Sequence, residues 1–232
     1  MLGPDGNLYN VSISQTPSLV LRRVFLAAIL ACTVVEARIA LAQGAPVILI
    51  VGDSISAGYG LPAGIGWGSL LQRRLAAEHR PHAVVNASIS GDTTASGRAR
   101  LEALLTRYRP AITVIELGGN DGLRGGSVDA MRQNLEAMTV AAQKAGSRVL
   151  LVGMRMPPNY GTAYVRRFDA TFAEVAKAHK AALVPFFFEG FGEDDAMFQG
   201  DRIHPTAAAQ AKLLDNVWQE LKPLLDAKGT VR

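Results

Sequence analysis

The chain has 232 residues, 49% hydrophobic and 19% charged, which is ample for one packed α/β domain or at most two small ones and excludes a disordered chain. Lys and Arg number 24 against 20 Asp and Glu. The basic residues fall in scattered pairs (Arg73/Arg74, Arg98/Arg100, Arg107/Arg109, Arg166/Arg167) rather than one stripe, which argues against a nucleic-acid partner.

At the N-terminus, Arg22 and Arg23 precede an apolar run of 12 residues over 24–35. A bilayer-spanning helix needs about 20. The run is followed by Ala40-Leu41-Ala42, a small-x-small site. Positive flank, short apolar stretch and A-x-A site together predict a secretory signal peptide cut after Ala42. Residues 1–42 are therefore expected to be an N-terminal extension plus signal peptide, and residues 43–232 a single domain, periplasmic or secreted. A lipidated cleavage at Cys32 is the less fitting alternative, because Leu30 stands poorly within Ile29-Leu30-Ala31-Cys32. Cys32 is the only cysteine, so the cleaved chain would have no disulfide, thiolate metal site or Cys nucleophile. It would keep 21 basic against 18 acidic residues and no stable membrane anchor.

From Ala45 short apolar runs alternate with longer amphipathic stretches. Residues 47–51 are continuously apolar and end at Gly52, as a strand buried on both faces should. Helical spacing follows over 67–79, with Trp67, Leu70, Leu71 and Leu75 on one side. Residues 83–86 read as a second strand, 93–108 as a helix, and 112–117 as a third strand. A helix over 128–145 closes at Gly146, and 148–152 is a fourth strand. Residues 160–181 are helical, 183–187 a fifth strand, and 205–225 a final helix with Pro205 in its first turn. Strands alternating with helices imply right-handed crossovers and a parallel sheet covered on both faces.

In such a sheet the ligand site lies beyond the carboxyl ends of the strands. The segments that emerge there are Gly52-Asp53-Ser54-Ile55-Ser56, Asn86-Ala87-Ser88-Ile89-Ser90-Gly91-Asp92, Gly118-Gly119-Asn120-Asp121 and Asp201-Arg202-Ile203-His204-Pro205. Acyl transfer needs a nucleophile, a base, an orienter for the base and donors for an oxyanion. Ser54 fits the first role. Asp201 and His204, three apart at the expected helix start, suit an acid facing an imidazole. Gly91 can bring a backbone N–H close to substrate, and Asn120 supplies side-chain N–H donors. Leu123, Met154, Met156, Pro158 and Tyr160 come from loops near this edge and are expected to line an apolar acyl pocket.

These blocks resemble the SGNH (GDSL) hydrolase family, whose four named residues fall on Ser54, Gly91, Asn120 and His204. The likeness is closest to the bacterial periplasmic multifunctional thioesterase/lysophospholipase/arylesterase subgroup. It runs through Gly52-Asp53-Ser54-Ile55-Ser56-Ala57-Gly58-Tyr59-Gly60-Leu61, residues 86–94, residues 116–125 and residues 154–161, within 45–225. The resemblance implies a flavodoxin-like three-layer α/β/α sandwich with a central parallel sheet of about five strands. It implies an oxyanion hole from Ser54 N–H, Gly91 N–H and the Asn120 side chain, no metal or cofactor, a small acyl ester or thioester substrate, and a mobile loop at 159–161. Ile55 departs from the usual Leu, Arg202 from the common Gly, and Thr206 from the frequent Asn. A monomer is expected.

Other readings are weaker. A carbohydrate acetylesterase of the same fold is the runner-up. A non-catalytic binding domain should have lost Ser54 or His204. A nucleotide-binding domain lacks its signature: Gly58-Tyr59-Gly60-Leu61-Pro62-Ala63 starts too far past the strand, and no acidic residue ends the second strand. There is no G-x-S-x-G elbow. Asp201 with His204 lacks a third ligand for a metal. Asp53 and Asp121 read as turn formers, His79 and His179 as helix-end residues, and His82 as a connection residue.

Overall fold

Five of the apolar runs form one sheet in the computed structural model, which describes residues 44–227. The expected signal peptide, its cleavage after Ala42 and Cys32 lie outside the described residues. The strands are β1 (Val47–Gly52), β2 (Ala83–Asn86), β3 (Ile112–Glu116), β4 (Arg148–Val152) and β5 (Ala182–Val184). Their order is β2-β1-β3-β4-β5, and every pairing is parallel. All residues of β1 and β3 are buried, which is why these strands read as unbroken apolar runs rather than alternating ones.

The helices are α1 (Ser54–Ala57), α2 (Trp67–Ala77), α3 (Thr94–Tyr108), α4 (Gly119–Leu123), α5 (Val128–Lys144), α6 (Thr162–His179) and α7 (Gln210–Asp226). Helices α2 and α7 pack together as one layer, and α3, α5 and α6 as the other, with the sheet between. The fold is thus the three-layer α/β/α sandwich expected. Each layer presses an apolar stripe inward, with Trp67, Leu71 and Leu75 from α2 and Leu213, Val217 and Leu221 from α7 almost wholly buried. Such side chains contribute roughly 1.5–3 kcal/mol each by leaving water. Helix α3 starts at a capping box in which Thr93 and Ser96 satisfy each other's backbone N–H groups.

Three expectations at element ends need correction. The fifth strand stops at Val184 rather than at residue 187. Pro185 has no N–H for the ladder, and residues 186–188 turn away, Phe187 burying its ring edge-on to Trp67 at 5.8 Å. The last helix starts at Gln210, preceded by a 3₁₀ turn at Ala207–Ala209. Pro205 instead pairs with Phe198 in an isolated antiparallel bridge. Residues 201–204 therefore form a tied-down turn, not a helix start. Helix α6 starts at Thr162, because Pro158–Tyr160 is a separate 3₁₀ turn and Gly161 has φ 89°. Two short helices, α1 and α4, escape periodicity because neither completes two turns.

Among the described residues no helix is long and apolar enough to cross a membrane. Nor do they hold a group of three or more His, Cys, Asp or Glu able to bind a metal ion.

Candidate active site

The sheet reverses its winding at β1. The chain goes from β1 outward to β2, then returns to the other flank of β1 as β3. The turns leaving β1 and β3 are thus neighbours at a topological switch point, where Gly52 is in register with Glu116. They open directly into α1 and α4, which carry Ser54 and Asn120.

Ser54 occupies the first turn of α1. Asp53 caps that helix, its Oδ1 accepting the Ile55 N–H at 3.0 Å. The strand end beneath must be glycine: a Cβ on Gly52 would stand 2.7 Å from Ser56 Cβ and 2.8 Å from a Glu116 oxygen. Nε2 of His204 lies 2.8 Å from Ser54 Oγ, across 150 residues of sequence. Its Nδ1 lies 2.6 Å from Asp201 Oδ2. The other Asp201 oxygen accepts the N–H groups of Ile203 at 2.9 Å and His204 at 3.0 Å. Those backbone donors, first that of His204, and the imidazole hold the Asp201 carboxyl below its ordinary value, at about 2. The Tyr59 ring leans on His204 with centroids 4.5 Å apart. The Gly-Tyr-Gly segment is therefore a wall of this site.

Asn120 is tied to the serine turn through Asp53 and to the Gly91 segment through the Asp92 carbonyl. Gly91 has φ 85°, and an added Cβ would meet only Arg124, at 3.9 Å. The backbone conformation requires glycine there, not crowding. Arg124 donates to the Gly91 carbonyl at 3.1 Å. The Asn120 Nδ2 group donates to the Asp92 carbonyl at 2.9 Å and to Asp53 Oδ2 at 3.1 Å. Arg100 braces the Gly91 segment, its Nε 2.8 Å and its Nη2 2.7 Å from Asp92 Oδ2. Asp121 accepts from Thr94 N–H at 2.8 Å and Thr94 hydroxyl at 2.6 Å, which caps α3. Asp121 lies within α4 and ties it to the start of α3, 27 residues away, so it is not the local turn former that the sequence suggests. Asp53 likewise does more than form a turn.

Two buried carboxyls underlie the serine. Burial pushes Asp53 up to about 6, against the pull of the Ile55 N–H, His204 and Asn120. Burial, then the neighbouring Asp53, pushes Glu116 well above the usual carboxylate range. Glu116 accepts from Ser56 hydroxyl at 2.7 Å, and that hydroxyl accepts from the Trp67 indole N–H at 3.1 Å. In the sequence Glu116 reads as a strand residue that opens the 116–125 block, with no role of its own.

A groove of about 410 Å³ opens at Ile55 and Gly119, the chain neighbours of Ser54 and Asn120. Leu123, Met154, Met156, Pro157 and Pro158 line one part of it. Ile55, Phe186, Phe188, Phe198 and Ile203 line the rest, with Arg155, Arg202 and Glu193. Of the expected lining residues, Tyr160 is the correction. It is absent from the lining and stands behind it, its hydroxyl donating to the Leu123 carbonyl at 3.1 Å. The phenylalanines are not legible in the sequence because residues 186–198 carry no local period that points to a pocket, and Ile203 reads there only as a spacer between Asp201 and His204. The other histidines lie elsewhere: His79 just past α2, His179 at the end of α6, and His82 buried before β2, with burial lowering its pKa.

Residues 50–212 match the model of the GDSL-like Lipase/Acylhydrolase family. The chain belongs to that family. Its relatives include Esterase TesA of Pseudomonas aeruginosa, 55% identical over 181 residues, covering 78% of this chain and 90% of that protein. Thioesterase 1/protease 1/lysophospholipase L1 of Escherichia coli K12 is 40% identical over 185 residues, covering 80% and 88%. The crystal structure of TesA superposes with a TM-score of 0.75 at 55% identity, covering 77% of this chain and 99% of that one. The GDSL-family match spans the Ser54, Gly91 and Asn120 segments as well as Asp201 and His204.

Proposed function

We propose that the protein is a serine esterase and thioesterase, lysophospholipase-like, that works through an acyl-enzyme on Ser54. The contact of Ser54 Oγ with His204 Nε2 at 2.8 Å, backed by Asp201 on Nδ1, is the observation that carries the reading. With Nδ1–H given to Asp201, Nε2 is left as the acceptor for the serine proton. The hydroxyl then attacks the acyl carbonyl, and His204⁺ returns the proton to the leaving alcohol or thiol. Water releases the acid by the reverse sequence. The developing oxyanion is held by the N–H groups of Ser54 and Gly91 and by Asn120 Nδ2. This chemistry asks nothing of a cofactor. The names of the two relatives, an esterase and a thioesterase/lysophospholipase, support the same reaction class.

Removing one oxyanion donor costs about 100- to 1000-fold in kcat. Asn120→Ala is expected to lose that much with KM little changed, as read by steady-state kinetics on a p-nitrophenyl ester. An unchanged kcat would remove Asn120 from the oxyanion hole.

The apolar groove supports a fatty acyl group of medium length. A p-nitrophenyl series from acetate to palmitate, run beside Ser54→Ala as background, tests this. We expect kcat/KM to peak at an intermediate chain. A preference for acetylated sugars over every fatty ester would overturn it in favour of a carbohydrate acetylesterase, which neither the groove nor these relatives' names favour. The pattern of Arg22-Arg23, an apolar run and Ala40-Leu41-Ala42 supports export to the periplasm or beyond. The scattering of the basic residues in pairs supports a protein that acts on small acyl substrates without nucleic acid, and a monomer is the default state we assign it.

A further inference from the structure

An asparagine carboxamide has two ends of nearly the same shape and opposite hydrogen-bonding character. An oxyanion is stabilised by the nitrogen end and repelled by the oxygen end. Something must therefore choose which end of Asn120 faces the nucleophile. The Asp92 carbonyl, 2.9 Å from Nδ2, is one acceptor that does so, and Asp53 Oδ2, at 3.1 Å, is the second.

Asp53 is placed to do this rigidly. The residue is 2% exposed, and its other oxygen is fixed by the Ile55 N–H at 3.0 Å. A single carboxyl thus joins the turn after β1, which presents Ser54, to the turn after β3, which presents Asn120. These are the two turns that the switch point makes adjacent. Glu116, Ser56 and Trp67 form a hydrogen-bonded floor beneath it. Both Nδ2 hydrogens of Asn120 are engaged in the free site. An oxyanion there takes a shared, three-centre bond from a donor already aimed, with no rotamer search at the moment of reaction.

We infer that Asp53 is a positioning residue, which acts through Asn120 by clamping its carboxamide with the nitrogen toward the nucleophile. The inference rests on the oxyanion role proposed for Asn120.

Two substitutions separate the clamp from the cap. Asp53→Ser keeps an acceptor for the Ile55 N–H, since Ser is a good helix cap, but is too short to reach Asn120. Asp53→Asn keeps the length. Its oxygen must stay on the Ile55 N–H, so its nitrogen faces the Asn120 nitrogen, donor against donor. Each is made in the parent and in Asn120→Ala, and kcat and KM are measured on one p-nitrophenyl ester.

A hydrogen bond to a charged group is lost in each, so kcat should fall about tenfold or more in the parent, with KM within about twofold. In the Asn120→Ala background the same substitutions should change kcat by less than about threefold, because residues acting as one unit are not additive. Equal losses in both backgrounds would show that Asp53 acts on the fold or the serine turn, and would overturn the clamp. So would no loss in either. Circular dichroism and thermal midpoints report folding, and Asp53→Ser decides the matter if Asp53→Asn does not fold. If the parent hydrolyses no acyl ester, the functional reading falls instead. If Asn120→Ala loses kcat while the Asp53 variants do not, only the clamp falls.

Discussion

Replacing Ser54 with Ala should lower kcat on any acyl ester by about 10⁴- to 10⁶-fold and leave the protein folded. The size of the loss follows from the absence of a substitute. Ser56 is the nearest alternative hydroxyl in sequence, but it is 1% exposed and committed between Glu116 and Trp67. Moving it to the acyl carbon would break both hydrogen bonds and open the floor of the site. The small effect on stability follows from position. Ser54 is half-buried at the first turn of α1, and the cap of that helix comes from Asp53, not from Ser54. Alanine keeps the helical turn at no propensity cost. The check is kcat on a p-nitrophenyl ester together with labelling by a fluorophosphonate, which should mark residue 54 of the parent and nothing in the variant. Activity above about one per cent of the parent, with intact labelling elsewhere, would mean a different nucleophile.

The same geometry explains what the sequence made legible. Ser54, Gly91 and Asn120 are small or polar residues a few positions beyond apolar strands, whereas Asp201 and His204 lie well past the end of β5 at Val184 and stand out by their own i, i+3 spacing. The rule that sites lie at carboxyl strand ends gathers the first three before any coordinate is seen. Their partners are harder to read, because those contacts are made across the fold. Asp53 has an obvious local duty, capping α1, and nothing nearby in sequence reveals that its second oxygen reaches Asn120, 67 residues on. Glu116 reads as a strand residue among apolar ones. Its neighbours Ser56 and Trp67 become neighbours only through the register of β1 with β3. Pro205 makes residues 201–204 read as a helix start in the sequence. The bridge between Phe198 and Pro205 wins instead, reinforced by the Gln199 N–H on the His204 carbonyl at 2.8 Å and the Thr206 N–H on the Met197 carbonyl at 2.8 Å. That bridge also swings Phe198 into the groove. Local propensity loses here to long-range pairing.

The Asp201 turn carries the second large expectation. Asp201→Asn should fold normally and lose about 10⁴-fold in kcat, more than the loss of an oxyanion donor, because it forces the wrong imidazole tautomer. The forcing is local. One Asp201 oxygen already accepts two backbone N–H groups, those of Ile203 and His204. An asparagine must turn its oxygen to those donors, and its nitrogen is then left facing His204 Nδ1. Nδ1 becomes the acceptor, the proton moves to Nε2, and Nε2 can no longer take the proton of Ser54. The pH dependence follows with a definite sign. The folded carboxyl lies at about 2, below its ordinary 3.8, so it is ionised throughout any ordinary assay. A depressed acid contributes stability above its unfolded value and loses it only as pH falls through about 2. An acid limb of kcat/KM above pH 4 therefore belongs to another group. In Asp201→Asn the loss should persist at every pH from about 5 to 9 rather than be recovered by shifting pH. The measurement is a kcat profile of parent and variant across that range, with thermal midpoints alongside. A variant within about tenfold of the parent would show that the carboxylate does not set the tautomer, and the base would have to be oriented by Tyr59 packing alone.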